Sequence, residues 1–115
     1  MVKHQTQTRT LDALFSALSD PTRREILSRL AEGESSVTEL AEPFPISLPA
    51  VSRHLRVLES TGLVARERDG RVHRLHLVAD PLLDGLEWIA VFGRFWEQRL
   101  DSLDRFLATR PEEGP

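Results

Sequence analysis

A mainly α domain carrying one small β-hairpin, with its elements in the order ααααββα, is the fold class this sequence predicts, and three observations predict it. Apolar residues recur at helical spacing in five stretches, four of which open on a capping residue or a proline. Pro43 and Pro45 fall between the third and fourth stretches and leave a tight helix-to-helix connection. After Gly62 the helical spacing gives way to two short, arginine-rich runs joined by Asp69-Gly70, a dipeptide characteristic of two-residue hairpin turns.

Residues 1–8 are polar and aperiodic and read as a flexible lead-in to a single domain over 9–108, with residues 109–115 as a flexible tail. Leu11, Leu14, Phe15 and Leu18 mark the first amphipathic helix. Asp20 is placed to cap the second, with Pro21 at its first position; Ile26, Leu27 and Leu30 line its inner face and Gly33 ends it. Arg23 and Arg24 lie near its start, where ion pairs with Asp12, Asp20 or Glu25 are open to them. Ser36, with Glu39 three residues on, predicts a short third helix from Val37 that turns Val37, Leu40 and Ala41 inward. Ser47 starts the fourth helix, Pro49 lies in its first turn where the missing N–H costs nothing, and Val51, Leu55 and Leu58 form its buried stripe up to the Gly62 cap.

The third and fourth helices make a helix-turn-helix. The free face of the second carries Leu48, Pro49, Ser52, Arg53 and Arg56, small near its N-terminus and cationic further on, which suits a helix entering a DNA major groove end-first. A bare two-helix motif is not specific, but the arginine-bearing hairpin behind it is a wing. Net charge is −3, unusual for a nucleic-acid binder, and its distribution resolves part of the difficulty: residues 1–33 carry +1, 34–52 carry −3, 53–79 carry +3 and 80–115 carry −4. The largest local excess of positive charge sits on the recognition helix and wing, and the acidic C-terminal part disfavours indiscriminate binding.

The run from Ala17 to Leu27 (ALSDPTRREIL), the stretch VTELAEPFPISLPAVSRHLRVLESTGLV, and the Asp-Gly-Arg turn with its Leu-His-Leu strand resemble the winged-helix repressors of the ArsR family over most of the chain. Within that family the chain is most similar to the metal-independent branch whose last helix carries an aromatic and Arg-Leu-Asp pattern, here Phe95 to Leu103. The resemblance implies a homodimeric bacterial transcription regulator, a repressor that binds an imperfect palindrome near its own promoter. The resemblance also implies that Arg23 and Arg24 lie near the protein body or the DNA backbone; on the reading of the residues, Ser47, Leu48, Pro49, Ser52 and Arg53 are expected nearest base edges, with Arg56, Arg71, Arg74, His54 and His73 on phosphates. Many relatives carry Gln or Ser where Leu48 and Pro49 stand; these two offer no side-chain hydrogen bonds, which shifts readout towards thymine methyls and DNA shape. The alternative is a winged-helix module that binds another protein through the same face.

Asp80-Pro81 opens the last and longest helix, predicted to run to about Leu107. Leu82, Leu86, Ile89, Phe92, Trp96, Leu100, Leu103 and Leu107 form one apolar stripe, and Trp88, Val91, Phe95 and Phe106 widen it beyond what one small core uses. The expected dimer seam therefore comprises Leu11, Leu14, Phe15, Trp88, Phe92, Phe95, Trp96, Leu100 and Leu103.

Other function classes fare poorly. At 115 residues and 40% hydrophobic content there is material for one modest core and none for a catalytic domain. Ser52, His54 and Asp69 supply triad residue types, but Ser52 and His54 are two apart on a helix and face different ways, so no enzyme is expected. Zero cysteines remove thiolate metal sites, and the last helix offers acids without histidine, so no metal or other cofactor is expected and no inducing ligand is assigned. No signal peptide or membrane-length apolar run is present, and a cytoplasmic protein without a membrane partner is expected.

Overall fold

The computed structural model describes residues 2–109, without the side chains of residues 2–9, Arg94, Trp96 and Thr109; Met1 and positions 110–115 of the expected tail lie outside the described residues. The elements are α1 (Val2–Leu18), α2 (Pro21–Glu32), β1 (Ser35–Ser36), α3 (Val37–Ala41), α4 (Leu48–Ser60), β2 (Val64–Asp69), β3 (Val72–Leu77), α5 (Asp80–Ala90) and α6 (Gly93–Thr109). The mainly α, winged arrangement is the one the spacing predicts. Helix α1 begins earlier than its polar lead-in suggests, and the chain groups into two units, Met1–Gly85 and Leu86–Pro115, with the boundary inside α5.

Local signals act where they stand. The carboxylate of Asp20 accepts the Arg23 backbone N–H at 2.9 Å, Ser36 Oγ accepts that of Glu39 at 3.2 Å and Ser47 Oγ that of Ala50 at 3.3 Å, so three helices start on their predicted caps. At the end of α4 the Gly62 N–H reaches Glu59 O and the Leu63 N–H reaches Leu58 O, the paired bonds of a Schellman motif with the glycine at φ +79°. The chain turns there directly into β2.

Three differences have physical causes. Ser35 and Ser36 pair with Leu75 and Arg74, so the hairpin becomes a three-stranded antiparallel sheet in the order β1-β3-β2; two residues are too few to show strand periodicity. Asp69 pairs with Val72, which makes Gly70-Arg71 the turn, one residue later than the dipeptide suggests. Gly70 has φ +62° and, among the described residues, no non-glycine residue has positive φ, the type II′ pattern of glycine at the first central position. The long last helix is two helices: the N–H groups of Val91 and Phe92 reach back only three residues, to Trp88 O and Ile89 O, and the chain restarts at Gly93, a residue that costs roughly 1 kcal/mol relative to Ala inside a helix. Apolar spacing runs through this break unchanged and so does not reveal it.

The core of the first unit is built from Leu14 and Ala17 of α1, Ile26, Leu27 and Leu30 of α2, Leu40 of α3, Val51, Leu55 and Leu58 of α4, and Leu63, Val64 and Leu75 around the sheet. Leu14 is 1% exposed. It is consumed inside the subunit and is not surface for a partner.

Candidate nucleic-acid interface

Complete burial of Val51, Leu55 and Leu58 fixes how α4 faces. With about 100° per residue, the opposite side presents Pro49, Arg53 and Arg56, all exposed, while Ser52 and His54 sit half-buried on the flanks. In the first turn Leu48 is 53% exposed, a large apolar side chain at the tip of the helix. Ser47 Oγ serves as the cap acceptor, which leaves its hydroxyl hydrogen and one lone pair for a ligand.

The wing adds cations that differ in how far they are already engaged. Arg66 donates through Nε and Nη2 to Oε1 of Glu59, at 2.9 and 2.5 Å, and through Nη1 to His73 Nδ1 at 3.3 Å. Arg74 lies 3.7 Å from Glu34 and, by strand alternation, on the opposite sheet face from His73. Arg53, Arg56, Arg68 and Arg71 are exposed and make no ion pair among the described residues. Arg68, beside His73 across the ladder, is a residue the sequence reading missed; period-two alternation with Arg66 was the signal for it. Ser36, Thr38, Arg66, Arg71 and His73 line one open cleft between the start of α3 and the wing.

Behind the reading face lies a polar cluster that resolves the ambiguity at Arg23 and Arg24. Neither pairs by its guanidinium with a carboxylate among the described residues; both cap the end of α1. Arg23 donates to Ala17 O at 2.8 Å, Ser16 O at 3.0 Å and His54 Nδ1 at 3.4 Å, and Arg24 donates to Leu18 O at 2.7 Å. The Ala17 and Leu18 carbonyls are among the ones a helix end leaves without backbone partners, and Ser16 O is shared with the Ser19 N–H and hydroxyl. Guanidinium only donates, so in this contact His54 Nδ1 is the acceptor. Asp20 Oδ2, 3.7 Å from the same nitrogen, is an electrostatic neighbour outside hydrogen-bond reach.

The hydrogen bond from the Arg23 backbone N–H holds the Asp20 carboxyl below its ordinary value, helped by the charge of Arg23 and opposed by partial desolvation. A carboxyl depressed in the folded state contributes stability above its unfolded pKa, and the contribution is lost as pH falls through the folded one. Asp20→Ala should cost about 1 kcal/mol near neutrality. Urea denaturation at neutral pH and again below the ordinary carboxylate range should show the gap between variant and wild type closing; a gap unchanged in acid refutes the cap's ionic character.

Of the residues expected at a dimer seam, Leu11 is half-buried and Phe15 is 37% exposed on α1. Within the second unit Trp88, Phe92, Phe95, Leu100 and Leu103 are between 43% and 60% exposed, and the Trp96 side chain lies outside the described residues. Trp88 and Phe92 pack edge to face at 5.1 Å, and Arg99 lies over the Phe95 ring at 4.9 Å. Among the described residues no group of three or more His, Asp or Glu side chains is arranged to hold a metal ion, and no helix is long and apolar enough to cross a membrane.

A helix-turn-helix domain family model matches residues 18–67. The chain is 43% identical over 108 residues to the HTH-type transcriptional regulator Rv2034 of Mycobacterium tuberculosis, covering 91% of this chain and 95% of that protein. It is 35% identical over 82 residues to the transcriptional repressor SdpR of Bacillus subtilis, covering 71% and 91%. Among solved structures, the crystal structure of an ArsR family transcriptional regulator superposes with a TM-score of 0.73 at 37% identity, covering 78% of this chain and 93% of that one.

Proposed function

The chain belongs to the ArsR family of winged helix-turn-helix transcriptional regulators, and from that premise we propose that it works as a homodimer seating two copies of α4 in successive major grooves of an imperfect palindrome near its own promoter. It is a DNA-binding transcriptional repressor. One observation carries the mode of binding: α4 buries its apolar stripe completely while Arg53 and Arg56, exposed and without ion pairs among the described residues, stand on the opposite face. Ser47, Leu48, Pro49, Ser52 and Arg53 face base edges, and Arg56, Arg71 and Arg74 hold phosphates. The protein acts by binding alone, in the cytoplasm, with no catalytic step. Electrophoretic retardation of the chain's own upstream DNA tests this, with footprinting to locate two half-sites; failure to shift that DNA in preference to unrelated DNA overturns it.

Regulation is independent of transition metals and arsenite in this reading, since the chain has no cysteine and its acidic last helices carry no histidine. Micromolar zinc, cadmium or arsenite should leave operator affinity unchanged. A tenfold change, about 1.4 kcal/mol of coupling, on adding any of them refutes metal independence.

A further inference from the structure

We propose that Arg23 and Arg66 are positioning residues that grip the recognition helix α4 from its two flanks and set the roll at which its reading face meets the major groove, a role that rests on the DNA reading above. The apolar stripe alone specifies roll poorly, because burial of Val51, Leu55 and Leu58 is non-directional. Hydrogen bonds are directional. With about 100° per residue, His54 and Glu59 fall on opposite sides of that stripe, and each is held by one arginine. Arg23 reaches His54 Nδ1 from α2 while anchored to Ser16 O and Ala17 O at the end of α1. Arg66 reaches Glu59 from β2 while anchored to His73 of β3. The helix is thus tied on one side to the end of α1 and on the other to the wing. A roll of roughly 20° at a radius of about 6 Å moves a side-chain tip by about 2 Å, enough to break any hydrogen bond to a base edge. Phosphate contacts, made by long flexible side chains, tolerate such a shift better than base contacts do.

The same geometry gives His54 an internal task. Its Nδ1 is Arg23's acceptor, so its contribution to recognition is made through the clamp.

The discriminating experiment measures affinity for operator and for unrelated DNA of equal length, each across a salt series, for the full-length protein. Arg23→Lys and Arg66→Lys keep the charge but supply one donor point in place of a fork, and cannot span the helix and the anchor together. Each should lose about tenfold in operator affinity, while affinity for unrelated DNA and both salt slopes stay as in wild type. His54→Asn, whose amide oxygen falls where Nδ1 lies, should keep an acceptor for Arg23 and bind operator more tightly than His54→Gln. His54→Gln, which moves the amide out to the Nε2 position, should behave like Arg23→Lys, and adding Arg23→Lys to it should cost little more. Equal weakening on both DNAs, with the slope reduced by about one unit for every phosphate no longer neutralised, overturns the proposal in favour of direct phosphate binding by these arginines. Unchanged operator affinity in the lysine variants also overturns it. His54→Asn and His54→Gln keep the test decisive if Arg23→Lys melts below the assay temperature. A wild type that does not prefer operator over unrelated DNA fails at the first measurement, which separates loss of the underlying DNA reading from loss of the clamp.

Discussion

Leu100→Asp should sediment as a monomer at micromolar concentration and lose operator affinity by a factor on the order of 10² to 10⁴, the avidity that joining two half-site contacts supplies. Leu100 lies on α6 and is 60% exposed, and Leu103 and Leu107 on the same helix are 51% and 54% exposed. Trp88 and Phe92, at the end of α5 and just beyond it, add further exposed apolar area. The proposed dimer would bury this apolar surface, and aromatic anchors are what such seams use. In the proposed dimer the aspartate buries an unpaired carboxylate among these side chains, a cost of several kcal/mol set against the seam alone. The helix-propensity penalty of the same change, at most about 0.7 kcal/mol, is too small to produce the effect by fraying α6. Because Leu100 is far in sequence from every residue assigned to DNA, loss of operator binding with loss of the dimer ties the two together. A Leu100→Asp protein that remains dimeric and binds operator normally would falsify this seam, and a monomeric wild type removes the palindrome.

Operator affinity should fall about a thousandfold between 50 and 200 mM salt. The figure comes from Arg56, Arg71 and Arg74 of two protomers acting on roughly six phosphates, which gives a log–log slope near −5. Arg71→Ala leaves one phosphate per protomer without its cation, so the slope should flatten by about two units, and affinity for all sequences should fall alike. Net charge of −3 does not oppose this, because residues 53–79 carry +3 while residues 80–115 carry −4. The acidic segment keeps the unspecific attraction low and leaves discrimination to the reading face. An affinity independent of salt counts against DNA as the partner.

Where a structural choice depends on neighbours within a few residues, the sequence by itself determined it. Asp20, Ser36 and Ser47 cap their helices because an oxygen acceptor beside the first free N–H groups is a local arrangement. The stripe Val51, Leu55 and Leu58, and with it the reading face of α4, follows from helical spacing alone. Glycine at the hairpin marked the turn because only glycine takes φ +62° there without strain. Tertiary structure decided what depends on groups brought together from afar. Ser35 and Ser36 became a strand only because β3 offered an open edge. Leu14 and Phe15 look equivalent on a helical wheel, yet packing buries the first and leaves the second 37% exposed. Arg23 and Arg24 were open to the DNA backbone, the protein body or ion pairs, and became caps of α1 because the chain turns at Ser19 and lays the start of α2 beside the carbonyls of Ser16, Ala17 and Leu18. Charge and length put an arginine within reach of many partners; which one it takes is settled by where the backbone sets its Cα.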